Sequence, residues 1–171
     1  LHTIMGGLRP GTTQPWDPAM KGYIRHHWQE VQNKTAQPFD FARFDDDAFV
    51  YDTEPPCRAL ITVRHLAPYH AVTMLEALQR AFYAENRAIT APEVLADIAA
   101  GVGVERDAFL AFYTSEQAHH AVLGDFARTR AFGVQGFPSI VCAEDGQYAF
   151  LAMGYRPYDA LCADFTAWLA C

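Results

Sequence analysis

The stretch Gly133-Val134-Gln135-Gly136-Phe137-Pro138-Ser139 decides how this chain is read. It follows a long helical pattern and runs directly into the apolar segment Ser139-Ile140-Val141-Cys142-Ala143. A glycine-flanked X-Pro bond feeding a buried strand is a setting in which a cis-proline holds a loop in one shape. The missing N–H and fixed φ of proline leave neighbouring backbone groups free for other partners. Gln135, Gly136, Phe137 and Pro138 are therefore the candidate ligand-contacting residues. A plain turn before a strand is the competing reading.

On the C-terminal side of the loop, Ile140–Ala143 and Tyr148–Ala152 are short β-type runs. They are joined by Glu144-Asp145-Gly146-Gln147, which offers glycine where a hairpin needs positive φ. Pro157 opens a last helix whose Leu161, Phe165, Trp168 and Leu169 form an apolar face. On the N-terminal side, Thr114-Ser115-Glu116-Gln117 is a capping box for a helix through about Phe132, and Thr90-Ala91-Pro92-Glu93 is another for a short helix ending at Gly101. Earlier still, Leu75, Leu78 and Phe82 share helical spacing, as do Cys57, Leu60, Ile61 and Arg64 after Pro55-Pro56. Asp17-Pro18 predicts a cap and a helix over about 18–35, ending before Pro38. Leu1-His2-Thr3-Ile4-Met5 reads as an opening strand, and 39–50 as an irregular connection.

With 171 residues, 51% of them hydrophobic, the chain is long enough for one domain with a sizeable core and too short to favour two. The formal charge of −7 and only 13 Lys and Arg argue against nucleic-acid or anionic-membrane partners, because phosphate binding needs clustered cations. No apolar run approaches the ~20 residues of a membrane helix. Cys57, Cys142, Cys162 and Cys171 have no metal-type or redox-type spacing, so separate reduced thiols and a cytoplasmic setting are expected. A periplasmic setting stays open, since a signal would lie upstream of Leu1. His26-His27 and His119-His120 are adjacent pairs that point about 100° apart on a helix, so neither pair can share a metal as i, i+4 histidines do. Asp45-Asp46-Asp47 lacks the glycine and distal Glu of a calcium loop and reads as a solvated turn. No metal site is expected.

Five segments follow one another along the chain. They are Met5-Gly6-Gly7-Leu8-Arg9-Pro10-Gly11, Tyr51-Asp52-Thr53-Glu54-Pro55-Pro56-Cys57-Arg58-Ala59, Ala81-Phe82-Tyr83, the proline loop, and Gly154-Tyr155-Arg156-Pro157. Together they resemble the DsbA-like oxidoreductases of the thioredoxin superfamily, most closely the FrnE-like branch. Its relatives include the 2-hydroxychromene-2-carboxylate isomerases and kappa-class glutathione transferases. The resemblance implies an α/β, thioredoxin-like fold with a large helical insertion, and the N-terminal strand and first helix missing from this chain. Residues 1–8 and 133–171 would be the thioredoxin-like part, 115–132 a long connecting helix and 9–114 the insertion, all in one compact unit. The family does its chemistry with a Cys-x-x-Cys pair, which this sequence does not contain. The chain is therefore expected to be a truncated piece of a longer protein, with the redox pair upstream and no catalytic residue of its own.

In that setting the expected reaction is thiol–disulfide exchange, or disulfide isomerisation, on protein or small-molecule thiols and disulfides. No cofactor is expected beyond possible glutathione, and the sequence does not speak to oligomeric state. The alternatives are a glutathione-dependent isomerase or transferase, with Ser in place of the redox pair, and a non-catalytic thioredoxin-like binding module. Cys57 is the one candidate accessory thiol. Its place in the first turn of a helix favours thiolate, whereas Leu60 and Ile61 at i+3 and i+4 aim it at a core that raises its pKa. The buried, structural reading is preferred. Cys142 and Cys162 fall on apolar faces, and Trp16, Trp28 and Tyr155 are weaker candidates for lining a cleft beside the proline loop.

Overall fold

Asp17 and Pro18 start the first helix as their chemistry requires. The Asp17 carboxylate accepts from the Met20 N–H at 2.7 Å, proline fills the first turn, and α1 (Pro18–Thr35) runs until Ala36 turns left-handed at φ 56°. A computed structural model describes residues 1–170 of the protein. Cys171, expected from the sequence to be a separate reduced thiol, lies outside them.

A 3-10 turn (Phe41–Asp45) leads to α2 (Glu54–Leu66), which carries Pro55 and Pro56 in its first turn. After a second 3-10 turn (Pro68–His70), α3 (Ala71–Gln79) passes into one π-helical turn, Arg80–Ala84. Next come α4 (Pro92–Gly101), α5 (Arg106–Tyr113) and α6 (Glu116–Ala131). The hairpin of β1 (Ser139–Glu144) and β2 (Gln147–Met153) follows, and α7 (Tyr158–Leu169) is the last helix. Two capping expectations need adjustment. Ala91, not Thr90, is the N-cap of α4, with no side-chain bond and Pro92 supplying the start. At α6 the cap is Ser115, whose Oγ accepts from the Ala118 N–H at 3.2 Å, one residue later than the box predicts.

The chain divides into two compact units, Leu1–Asp125 and Phe126–Cys171. The first has a core in which Leu60, Val63, Met74, Leu95 and Phe109 are fully buried. Its second focus is aromatic: the Trp28 ring lies 4.9 to 6.0 Å from those of Phe39, Phe41, Phe44, Phe82 and Tyr83. Trp16 stacks on Phe44 and meets Phe49 edge-on. Both tryptophans are thus core residues, 7% and 6% exposed, rather than cleft walls. Burial of ring area against complementary edges outweighs any use of them at a surface.

The opening segment is not a strand. Its backbone is held by side chains: Met5 N–H donates to Asp125 Oδ2 at 2.9 Å and the Thr3 carbonyl accepts from Arg64. The β-type composition of Leu1–Met5 suggests a ladder, but a strand exists only where another strand pairs with it. In the second unit β1 and β2 pair antiparallel from Ser139↔Met153 to Glu144↔Gln147, with a bulge between Ile140 and Val141. Asp145 and Gly146, at φ 49° and 78°, make the tight turn the sequence predicts. The apolar face of α7 is only partly covered. Leu161 and Trp168 are half-buried, Phe165 and Leu169 exposed, and no α7 residue is fully buried among those described.

Candidate functional site

The proline loop begins where α6 is terminated. Gly133, at φ 74°, turns the chain while its N–H returns to the Arg130 carbonyl and Val134 N–H to that of Thr129. The Phe137–Pro138 peptide bond is cis. Ser139 Oγ donates to the Gly136 carbonyl at 2.7 Å, and Gly154 N–H donates to the Pro138 carbonyl at 2.7 Å, which ties the loop to the end of β2. Among the described residues, no partner is present for the N–H groups of Gln135, Gly136 and Phe137. Gln135, Gly136, Phe137 and Pro138 are all exposed. The loop therefore shows solvent a row of backbone donors in a fixed frame, suited to the carbonyl or carboxylate oxygens of an extended ligand.

Apolar side chains flank this row. Phe137 is 47% exposed, Met153 stands opposite Ser139 in the hairpin register, and Tyr155 follows Gly154. Met153 was not singled out from the sequence, where the β-type run ends at Ala152; in the structure it is the last residue of β2. Its place beside the loop follows from the register of β1 against β2.

Cys57 lies in the first unit, in the opening turn of α2, half-buried and free. Burial pushes its thiol up to about 12, against the Gly7 N–H that points at the sulfur, while Glu54, Asp125 and Asp52 reinforce the rise. Desolvation here exceeds the helix-terminus field, as the apolar i+3 and i+4 neighbours suggest. At pH 8 Cys57 then carries roughly a thousandfold less thiolate than an unperturbed thiol at 9.0. Iodoacetamide labelling of the folded chain followed by peptide mapping should show Cys57 protected until denaturant is added; labelling at the rate of a free cysteine would contradict this. The same shift has a stability consequence. Between pH 9 and about 12 the unfolded chain loses this proton and the folded chain keeps it, so stability falls as pH rises through that window. Tyr113, pushed by burial to about 12, acts in the same direction. Cys142 is buried in β1 and Cys162 half-buried in α7, both free.

Around the start of α2 the polar groups form a dense network. Arg58 pairs with Glu54 at 2.9 Å, donates to the Tyr113 carbonyl at 3.2 Å and meets His119 Nε2 at 2.7 Å. Its guanidinium also stands 4.2 Å from the Tyr113 ring centroid. Arg58 thereby joins α2, the end of α5 and the start of α6, and keeps the Cys57 turn in place. His26 and His27 both approach Glu30 at the surface of α1. Asp47 in the acidic turn pairs with Lys21 at 2.6 Å.

A mostly helical chain with a two-stranded sheet, in which a glycine-flanked cis-proline loop feeds a hairpin and a terminal helix, defines a thioredoxin-like fold of the DsbA type. The chain belongs to the DSBA-like thioredoxin domain family, whose sequence profile matches residues 5–165. Among solved structures it is similar to a candidate protein disulfide isomerase from Nitrosomonas europaea, at 32% identity and a TM-score of 0.91, covering 94% of this chain and 79% of that one. It is also similar to the cytosolic disulfide reductase DsbM from Pseudomonas aeruginosa, at 27% identity and a TM-score of 0.79, over 98% of this chain and 83% of that one. The same reductase with GSH matches at a TM-score of 0.75. No curated protein sequence matches the chain. The chain thus falls within the DsbA-like thiol–disulfide oxidoreductase family. Among the described residues, no helix is long and apolar enough to cross a membrane.

Proposed function

We propose that this chain is the substrate-positioning part of a cytoplasmic disulfide reductase or isomerase, whose reacting Cys-x-x-Cys pair lies upstream of Leu1. The carrying observation is the proline loop: a fixed, exposed row of N–H groups at Gln135, Gly136 and Phe137 that meet no partner among the described residues. Two further facts support the reading. The relatives whose names state disulfide chemistry extend beyond the length this chain covers, and one of them is a cytosolic enzyme with a GSH-bound structure. Residues 1–8 and 133–171 form the thioredoxin-like part in this reading and 9–114 the insertion.

In the proposed reaction the upstream thiolate attacks one sulfur of a substrate disulfide. A mixed disulfide forms while the other sulfur leaves as thiolate and takes a proton. The second upstream thiol then displaces the substrate, which leaves reduced as the enzyme becomes oxidised, and a small thiol such as glutathione restores the pair. The loop's part is to hold the substrate backbone beside the sulfur under attack, a matter of orientation. Phe137 and Pro138 would face the reacting sulfur. The test is insulin reduction by full-length protein with glutathione as reductant. Turnover that disappears when both upstream cysteines become serine is expected. Absence of turnover alongside retained peptide binding would make the domain a binding module instead.

A further inference from the structure

Arg9 is partly buried and, among the described residues, is a cation that pairs with no carboxylate. The chain is acidic, and each other arginine whose side chain is partly or fully buried has an acidic partner: Arg43 faces Asp46, Arg58 Glu54 and Arg64 Asp125, with Arg87 near Glu85 and Arg106 against Glu93 and Asp97. Among the described residues, the only hydrogen-bond acceptor that the Arg9 guanidinium meets is Met20 Sδ, at 3.3 Å, a weak one. The backbone of Arg9 is nonetheless firmly placed. Its N–H donates to Thr53 Oγ1 at 2.9 Å, and its carbonyl accepts from the Thr53 N–H at 3.3 Å and the Thr12 hydroxyl at 3.1 Å.

The carboxylates of Asp52, Glu54 and Asp125 have partners other than Arg9. Asp52 Oδ1 accepts from the N–H groups of Gly11 and Glu54, each at 2.9 Å. Glu54 is held by Arg58, and Asp125 by Arg64 and the Met5 N–H. The Tyr51 phenol, which burial and its hydrogen bond with Tyr83 push above its ordinary range, feels the charge of Arg9, which favours its ionised form. A guanidinium offers five donors in a planar fork that fits a carboxylate with two parallel bonds. Here that fork extends from a fixed backbone, and among the described residues Met20 Sδ is the one acceptor it meets.

We propose that Arg9 is a carboxylate-binding residue that selects acidic small thiols of the glutathione type over neutral ones. The choice of a thiol as ligand rests on the oxidoreductase reading above, whereas the carboxylate rests on Arg9 itself.

The test uses full-length protein with Arg9→Gln and Arg9→Lys. For Arg9→Gln, the KM for glutathione should rise about ten- to a hundredfold, the range for losing a charge-assisted bond. Turnover with 2-mercaptoethanol and the melting temperature should stay at wild-type values, and Arg9→Lys should restore part of the affinity. Equal losses with both thiols, or a fall in melting temperature accompanying them, would make Arg9 a structural residue; no change with either would overturn the proposal as well. Should the wild type reduce nothing with any thiol, the oxidoreductase reading fails by itself, and titration calorimetry then decides on Arg9. S-methylglutathione binding to wild type but not to Arg9→Gln, with its diethyl ester binding neither, sustains the carboxylate site. Equal binding of acid and ester, or none of the acid to wild type, removes it.

Discussion

Asp125→Ala should destabilise the protein by about 3 kcal/mol or more, the cost expected when one member of a buried ion pair is removed. The Asp125 side chain is 7% exposed and that of Arg64 20%, and the two meet in a double contact at 2.8 and 3.1 Å. The alanine leaves the partly desolvated Arg64 guanidinium with the Thr3 carbonyl as its one acceptor among the described residues, and removes the Asp125 acceptor of the Met5 N–H as well. Both losses fall on the same feature, the attachment of the opening segment to α2 and α6. Urea unfolding followed by far-UV circular dichroism should show the lower midpoint, and amide exchange at Met5 should lose protection. Asp125→Asn keeps an acceptor for Met5 and should cost less. Replacing the pair together, as Arg64→Met with Asp125→Leu, should recover most of the stability lost in the single variant, because neither charge is then left unpaired. If Asp125→Ala unfolds at the wild-type midpoint, the pair is not what holds Thr3 to Met5.

That attachment also shows what can be read along the chain and what cannot. Asp17-Pro18, Pro55-Pro56 and Asp145-Gly146 are local devices, each acting on the few residues around it, and the structure uses all three. The opening segment differs because its partner Asp125 is 120 positions away. Nothing within Leu1–Met5 distinguishes an extended run tied down by side chains from one in a sheet. Helix α5 had no clear start in the sequence, since Glu105 is an uncommon N-cap; in the structure its carboxylate accepts from the N–H groups of Asp107 and Ala108. The π turn at Arg80–Ala84 changes which backbone groups pair while leaving the apolar spacing similar, so periodicity does not reveal it. At the candidate site the loop itself was legible, because glycine and proline act locally. Its apolar neighbour Met153 was not, because that depends on strand register. Arg9 lay within a quoted motif, but the absence of an acidic partner is a property of the assembled surroundings.

Trp28→Ala should cost about 3–5 kcal/mol, the range for truncating a buried large aromatic. The side chain is 6% exposed and, from α1, contacts five other rings drawn from two separate stretches of chain, Phe39–Phe44 and Phe82–Tyr83. Removing it opens a cavity among rings that cannot all move inward, because each also packs on another: Phe39 on Tyr83, Phe41 on Phe44 and Phe82 on Tyr51. Trp28→Phe should recover part of the loss. Phe137→Ala is the informative counterpart, since Phe137 is 47% exposed and its removal should change stability by no more than about 0.5 kcal/mol. In full-length protein the second variant should instead weaken substrate handling, seen as a higher KM for a disulfide peptide. The two aromatics thus separate stability from recognition. A Trp28→Ala protein that melts like wild type would return Trp28 to the list of surface residues, and a Phe137→Ala protein with wild-type kinetics would leave the loop's backbone donors as its sole contribution to binding.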